Sequence, residues 1–63
     1  MSEHAGYLRA EIRRLERSAL DYRGVARTDP ARRQPALADA RTIEANAWLL
    51  KQRLASEESS NVR

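Results

Sequence analysis

The 63-residue sequence has no cysteine and no phenylalanine, a single histidine, two glycines, two prolines and three aromatic residues. Without cysteine, no disulfide or thiolate–zinc site can staple so short a chain. His4 beside Glu3 offers one imidazole and one carboxylate, too few for a ligand set, so no metal and no cofactor is expected. No interior histidine is present to activate Ser18 or Ser56, and Glu16 or Glu44 would need a closed pocket to act as acid or base. No catalytic residue is therefore assigned and no enzyme activity is expected. Glycine stands only at Gly6 and Gly24, which excludes a glycine-rich phosphate loop. Mean hydropathy is -0.78 and 33% of residues are charged, so no stretch approaches the roughly 20 apolar residues of a membrane span. Met1-Ser2-Glu3-His4 carries neither a basic nor an apolar signal region, so no secretory signal and a cytoplasmic location are expected.

What the chain does have is arginine. Twelve Lys and Arg stand against nine Asp and Glu, for a net charge of +3, and Lys51 is the only cation that is not arginine. Residues 7–27 hold six arginines (Arg9, Arg13, Arg14, Arg17, Arg23, Arg27) and three acids (Glu11, Glu16, Asp21), so the positive excess lies in the first half. Arginine forks suit phosphates and carboxylates, although interspersed acids also fit solvated helix faces.

The apolar residues fall into two helical patterns. Leu8, Ile12, Leu15, Ala19, Tyr22 and Ala26 step alternately by four and three, the seam of a helix that packs on other helices. The first helix is predicted over about 3–27, with Ser2 as N-cap and Gly24 weakening its last turn. A connection is predicted over 28–35, where Asp29-Pro30 initiates a turn and Pro35 suits the first turn of a second helix. In that second helix, predicted over about 36–57, Ala36, Ala40, Ile43, Ala47, Leu50 and Leu54 repeat the seam. Arg13–Glu16 and Arg41–Glu44 have the spacing of helix-surface pairs, and residues 59–63 read as a disordered tail.

The expected fold is all-α: one domain over 1–58, an antiparallel two-helix hairpin. A hairpin has one internal interface and leaves Leu20, Tyr22, Leu37 and Trp48 partly wet, so assembly into a homo-oligomeric helical bundle is expected. Leu8, Ile12, Leu15, Tyr22, Ile43, Ala47, Trp48, Leu50 and Leu54 are its candidate interface residues. At 100° per residue, Arg9, Arg13, Arg23 and Arg27 fall within about 80° of one another beside the Leu8–Ile12 seam. Copies of this edge from neighbouring chains could converge on an anion, or the arginine stems could simply lie over the seam with their heads in water. Tyr7 and Tyr22, near the same face, could stack on a base or pack in the core.

The stretch from Ala36 to Leu49 resembles the second helix of the phage anti-CBASS proteins, small helical-hairpin sponges that sequester cyclic oligonucleotide messengers of bacterial anti-phage signalling. Ala36-Leu37-Ala38, Arg41, Glu44-Ala45 and Trp48 match the family's ungapped pattern, and Lys51 falls where a basic residue is common. Ile43 stands where the first of the family's paired acids would be. The resemblance implies an oligomer of hairpins in a bacterial host cytoplasm, with cyclic nucleotides gripped between chains by basic and aromatic side chains. Tyr7, Arg9, Arg13 and Arg27 are the candidate ligand-binding residues. The alternative is a protein-interaction adaptor or inhibitor that lays a helix face around Leu20, Val25 or Leu37 on a partner protein. Nucleic acid is disfavoured as a partner, since the net charge is modest and no helix-turn-helix or zinc pattern is present.

Overall fold

Small residues at seven-residue steps let two helices approach closely, and here they do so over almost the whole chain. The computed structural model describes residues 3–61. Among these, α1 spans Glu3–Thr28, a single 3-10 turn spans Pro30–Arg32, and α2 spans Arg33–Asn61. Asp29 is the one described residue outside a helix, and none is in a strand. The helices pack side by side and antiparallel, as the cross-helix pairs Arg9–Glu58 and Arg23–Glu44 require. The resulting rod measures 51 × 14 × 11 Å.

The core follows the predicted seams. Buried are Ala5, Leu8, Ile12, Ala19 and Ala26 of α1 and Ala36, Ala40 and Ala47 of α2. Six of these eight are alanine, and among the described residues Leu8 is the only large side chain that is fully enclosed. Leu15, Ile43, Leu50 and Leu54 are half-buried and Tyr22 is 40% exposed. An alanine methyl removed from water contributes about 0.8 kcal/mol, against roughly 1.5–3 kcal/mol for a leucine side chain. The hairpin is thus closely approached but thinly packed.

The turn is tighter than the predicted 28–35 connection. Asp29 is extended (φ -129°, ψ 96°), its side chain accepts from the Ala31 N–H at 3.2 Å, and Pro30 opens the 3-10 turn. Asp29 caps in both directions: its own N–H still donates to the Val25 carbonyl at 2.8 Å, while its carbonyl accepts from the Arg32 N–H at 3.0 Å. Arg33 is already in the right-handed helical region (φ -57°, ψ -51°), so α2 starts three residues before the predicted position 36. Pro35 is its third residue, where a missing N–H costs no hydrogen bond. The Arg33 Nε donates to the Ala26 carbonyl at 3.0 Å, satisfying an acceptor that the end of α1 would leave open.

The other end departs from expectation as well. Helix continues through Ser59 to Asn61, in place of the disordered tail expected there. The last turns are tied to α1 by Glu57, 3.0 Å from His4, and by Glu58, paired with Arg9. The predicted N-cap Ser2 and the remaining tail residues Val62 and Arg63 lie outside the described residues.

Gly24 is helical, has no positive φ, and would meet nothing within 4 Å if it carried a Cβ. Gly24→Ala should therefore stabilise the hairpin by about 0.5–1 kcal/mol through the unfolded chain and helix propensity. Thermal unfolding followed by circular dichroism should show a midpoint several degrees higher.

Candidate functional site: arginines at the turn

Three cross-helix ion pairs follow one edge of the hairpin. Arg9 pairs with Glu58, Glu16 with Lys51 and Arg23 with Glu44. Each step is seven residues on both helices, and the sign alternates from rung to rung. The rungs adjoin the column Ala5–Ile12–Ala19–Ala26 on α1 and Ala40–Ala47–Leu54 on α2, three or four residues away along each helix. Arg23 grips Glu44 with two bonds, Nε at 2.6 Å and the terminal nitrogen at 2.7 Å. That hydrogen bonding, then the nearby positive charges of Arg23 and Arg41, hold the Glu44 carboxyl below its ordinary range, and the same bonds with the Glu44 negative charge raise Arg23. Glu11 is lowered in the same way by its hydrogen bond from Arg14, three residues on.

Neither predicted local pair, Arg13–Glu16 or Arg41–Glu44, closes to a salt bridge, although the Arg41 charge still acts on Glu44. Glu16 and Glu44 sit on the edge facing the other helix, where Lys51 and Arg23 reach them across the seam.

These pairs decide which arginines remain available. Arg9, Arg14, Arg23 and Arg32 are each held by a carboxylate, Arg32 by Asp29 at 3.6 Å. Among the described residues Arg13, Arg17, Arg27, Arg33, Arg41 and Arg53 have no ion-pair partner. Three of them, Arg27, Arg33 and Arg41, lie toward the turn. Arg27 lies with Arg23, Ala26, Arg33 and Leu37 around a shallow groove of about 280 Å³. Arg41, one turn beyond Leu37, acts on Glu44 at the same end. Arg23, Arg27 and Arg33 thus line the groove, and Arg41 adds a fourth guanidinium group outside it, toward Glu44. A second open groove, of about 690 Å³, runs along α1 and is lined by Ala10, Arg13, Arg14, Glu16, Arg17 and Leu20.

The candidate ligand residues do not converge within one chain. Tyr7 and Arg27 are 20 residues apart on one helix, about 30 Å. Tyr7 is exposed and stacks on His4 with ring centroids 6.4 Å apart. Arg9 is engaged in the ladder, Arg13 lines the α1 groove, and Arg27 lies at the turn. Arg33 and Arg41 do not stand out in the sequence as ligand contacts. Their signal is the spacing Arg33–Leu37–Arg41, one face of α2, together with a turn short enough to bring it against Arg23 and Arg27.

Of the candidate interface residues, Leu8, Ile12 and Ala47 are buried within the hairpin. Leu15, Ile43, Leu50 and Leu54 are half-buried on its seam, and Tyr22 and Trp48 are exposed. Among the described residues there is no buried polar or charged side chain and no group of three or more His, Cys, Asp or Glu that could hold a metal ion. No helix among them is long and apolar enough to cross a membrane.

Because folding lowers the Glu44 carboxyl, the Arg23–Glu44 pair contributes fully above the ordinary value of 4.5 and fades as pH falls through the depressed folded value. The Tm difference between the native chain and Glu44→Gln should therefore be largest near neutral pH and narrow toward pH 3. A difference unchanged over that interval would contradict the assignment. No protein-family model, curated protein or solved structure matches the chain.

Proposed function

We propose that this chain is a non-enzymatic binding module whose turn-end arginines hold a phosphate-bearing ligand, with cyclic oligonucleotides as the ligand class. The observation that carries the reading is the groove lined by Arg23, Arg27, Arg33 and Leu37 at the turn, with Arg41 as a fourth guanidinium group outside it, toward Glu44. Guanidinium forks bind phosphate oxygens in pairs, and two of these four already have fixed orientations, through Glu44 and through the Ala26 carbonyl. A bound phosphate would meet donors that lose little freedom on binding. The ligand class comes from the resemblance of residues 36–49 to the cyclic-oligonucleotide sponges, in which Arg41 stands at the family's basic position. A flat groove open to solvent suits capture and offers no water-excluded pocket for chemistry.

A second reading, docking on a partner protein, is favoured by Leu20, 69% exposed, and by Trp48 and Leu49, each 58% exposed. A lone tryptophan is a common interface anchor, and exposed leucines on a helix can enter a partner's groove.

Calorimetric titration with cyclic di- and trinucleotides, with inorganic phosphate alongside, separates the two readings. Saturable heat with a cyclic nucleotide is expected. Arg27 has no ion-pair partner to lose, so Arg27→Glu should leave the fold intact and weaken binding about tenfold or more. The absence of heat with every nucleotide, together with a stoichiometric protein captured from host lysate, would replace this reading with the second.

A further inference from the structure

The two edges of the hairpin are unlike. On the ladder edge, charges of opposite sign meet across the seam, and the adjoining columns are buried except at Leu54. On the other edge the columns are Leu8, Leu15 and Tyr22 of α1 and Ala36, Ile43 and Leu50 of α2; Leu8 and Ala36 are buried, and the other four, all large, are not fully buried. Glu11, Ser18 and Val25 extend this strip on α1 at three- and four-residue steps; Glu11 is held by Arg14 of its own helix, and Val25 is 37% exposed. The matching positions on α2 are Asp39, Asn46 and Arg53, seven residues apart and all exposed. His4–Glu57, at the far end, is the cross-helix ion pair on this side among the described residues.

Asp39 and Arg53 have no ion-pair partner among the described residues. They are 14 residues apart on one helix, about 21 Å, so they cannot meet within a chain. Each is seven residues from Asn46. If a second α2 runs antiparallel past the first with Asn46 opposite Asn46, Asp39 of each copy faces Arg53 of the other. The Asn46 carboxamide both donates and accepts, so it can pair with its own copy across a two-fold axis. This pattern of acid, amide and base is self-complementary under that symmetry alone.

The surface area agrees with this arrangement. A compact monomer of 7.2 kDa exposes about 4,100 Å², whereas this chain exposes 4993 Å². The excess, roughly 900 Å², belongs to the elongated shape of the rod and leaves surface enough for an interface of standard size, about 800 Å² per partner. We infer that the unstitched edge docks a second copy of the same chain about a two-fold axis at Asn46, forming an antiparallel four-helix bundle in which Asp39 of one copy pairs with Arg53 of the other. Leu15, Tyr22, Ile43 and Leu50 of both copies form its shared core, and the turns with their arginine corners lie at opposite ends.

Light scattering and sedimentation equilibrium test this. The native chain should associate reversibly with twice the chain mass. Arg53→Asp places Asp39 against a carboxylate and should raise the dimer dissociation constant about tenfold or more, as should Asp39→Arg. The double variant D39R/R53D restores opposite charges and should return the constant to within a few-fold of the native value. Trp48→Ala, on the ladder side, should leave it unchanged. Circular dichroism confirms that each variant stays helical, which the exposure of both residues favours. A monomer at millimolar concentration, an odd-numbered assembly, indifference to Arg53→Asp, no recovery in the double variant, or loss of the dimer in Trp48→Ala would each overturn the inference.

Discussion

The closeness of the two helices is set by alanine, and the rest of the structure depends on that spacing. Ala5, Ala19, Ala26, Ala36, Ala40 and Ala47 let the backbones come together without a thick layer of side chains between them. Close approach brings long charged side chains within reach across the edge, and it lets Arg33 of α2 bond a carbonyl of α1. It also limits the apolar area each chain can hide. Six buried methyls contribute about 5 kcal/mol, roughly half or less of what six leucines would. The larger residues Leu15, Tyr22, Ile43 and Leu50 are left partly in water by the same geometry.

The arginine corner is a product of the turn. A longer connection would let the two helix ends splay, and Arg27 and Arg33 would then have no fixed relation. With Asp29 as the single residue between helical segments, bonded to Val25, Ala31 and Arg32, the corner is defined by backbone geometry. Side-chain anchors at Glu44 and the Ala26 carbonyl then orient two of the four guanidinium groups. Distance along α1 separates Tyr7 and Arg9 from this corner, so any ligand touching both ends would have to span the rod or bridge two chains.

The helices are legible in the sequence because their signal is periodic: the alternating steps of Leu8 to Ala26 and Ala36 to Leu54 have no reading but a helix seam. The turn is less legible. Thr28 to Pro35 holds two prolines and two arginines, which reads as a loop, yet Pro30 and Pro35 both occupy first-turn positions that need no N–H. The end of α2 is hidden because Ser59, Ser60 and Asn61 are weak helix formers, and their helical state accompanies Glu57 and Glu58 being tied to the start of α1. Ion-pair choice is hidden for the same reason. Glu16 and Glu44 have attractive partners three residues away, and only the register of the hairpin shows that Lys51 and Arg23 are the ones they take. A ligand set read from a helical wheel groups residues that share an angle but not a height.

The alternating order of the ladder has a consequence for the folding chain. Slide α2 along α1 by one heptad in one direction and Arg9 faces Lys51 while Glu16 faces Glu44. Slide it the other way and Glu16 faces Glu58 while Arg23 faces Lys51. Alanine columns alone would tolerate either misalignment, since one methyl resembles the next. Rungs that are individually weak on an exposed edge therefore act as a combination lock, since each misalignment replaces attraction with repulsion of similar size.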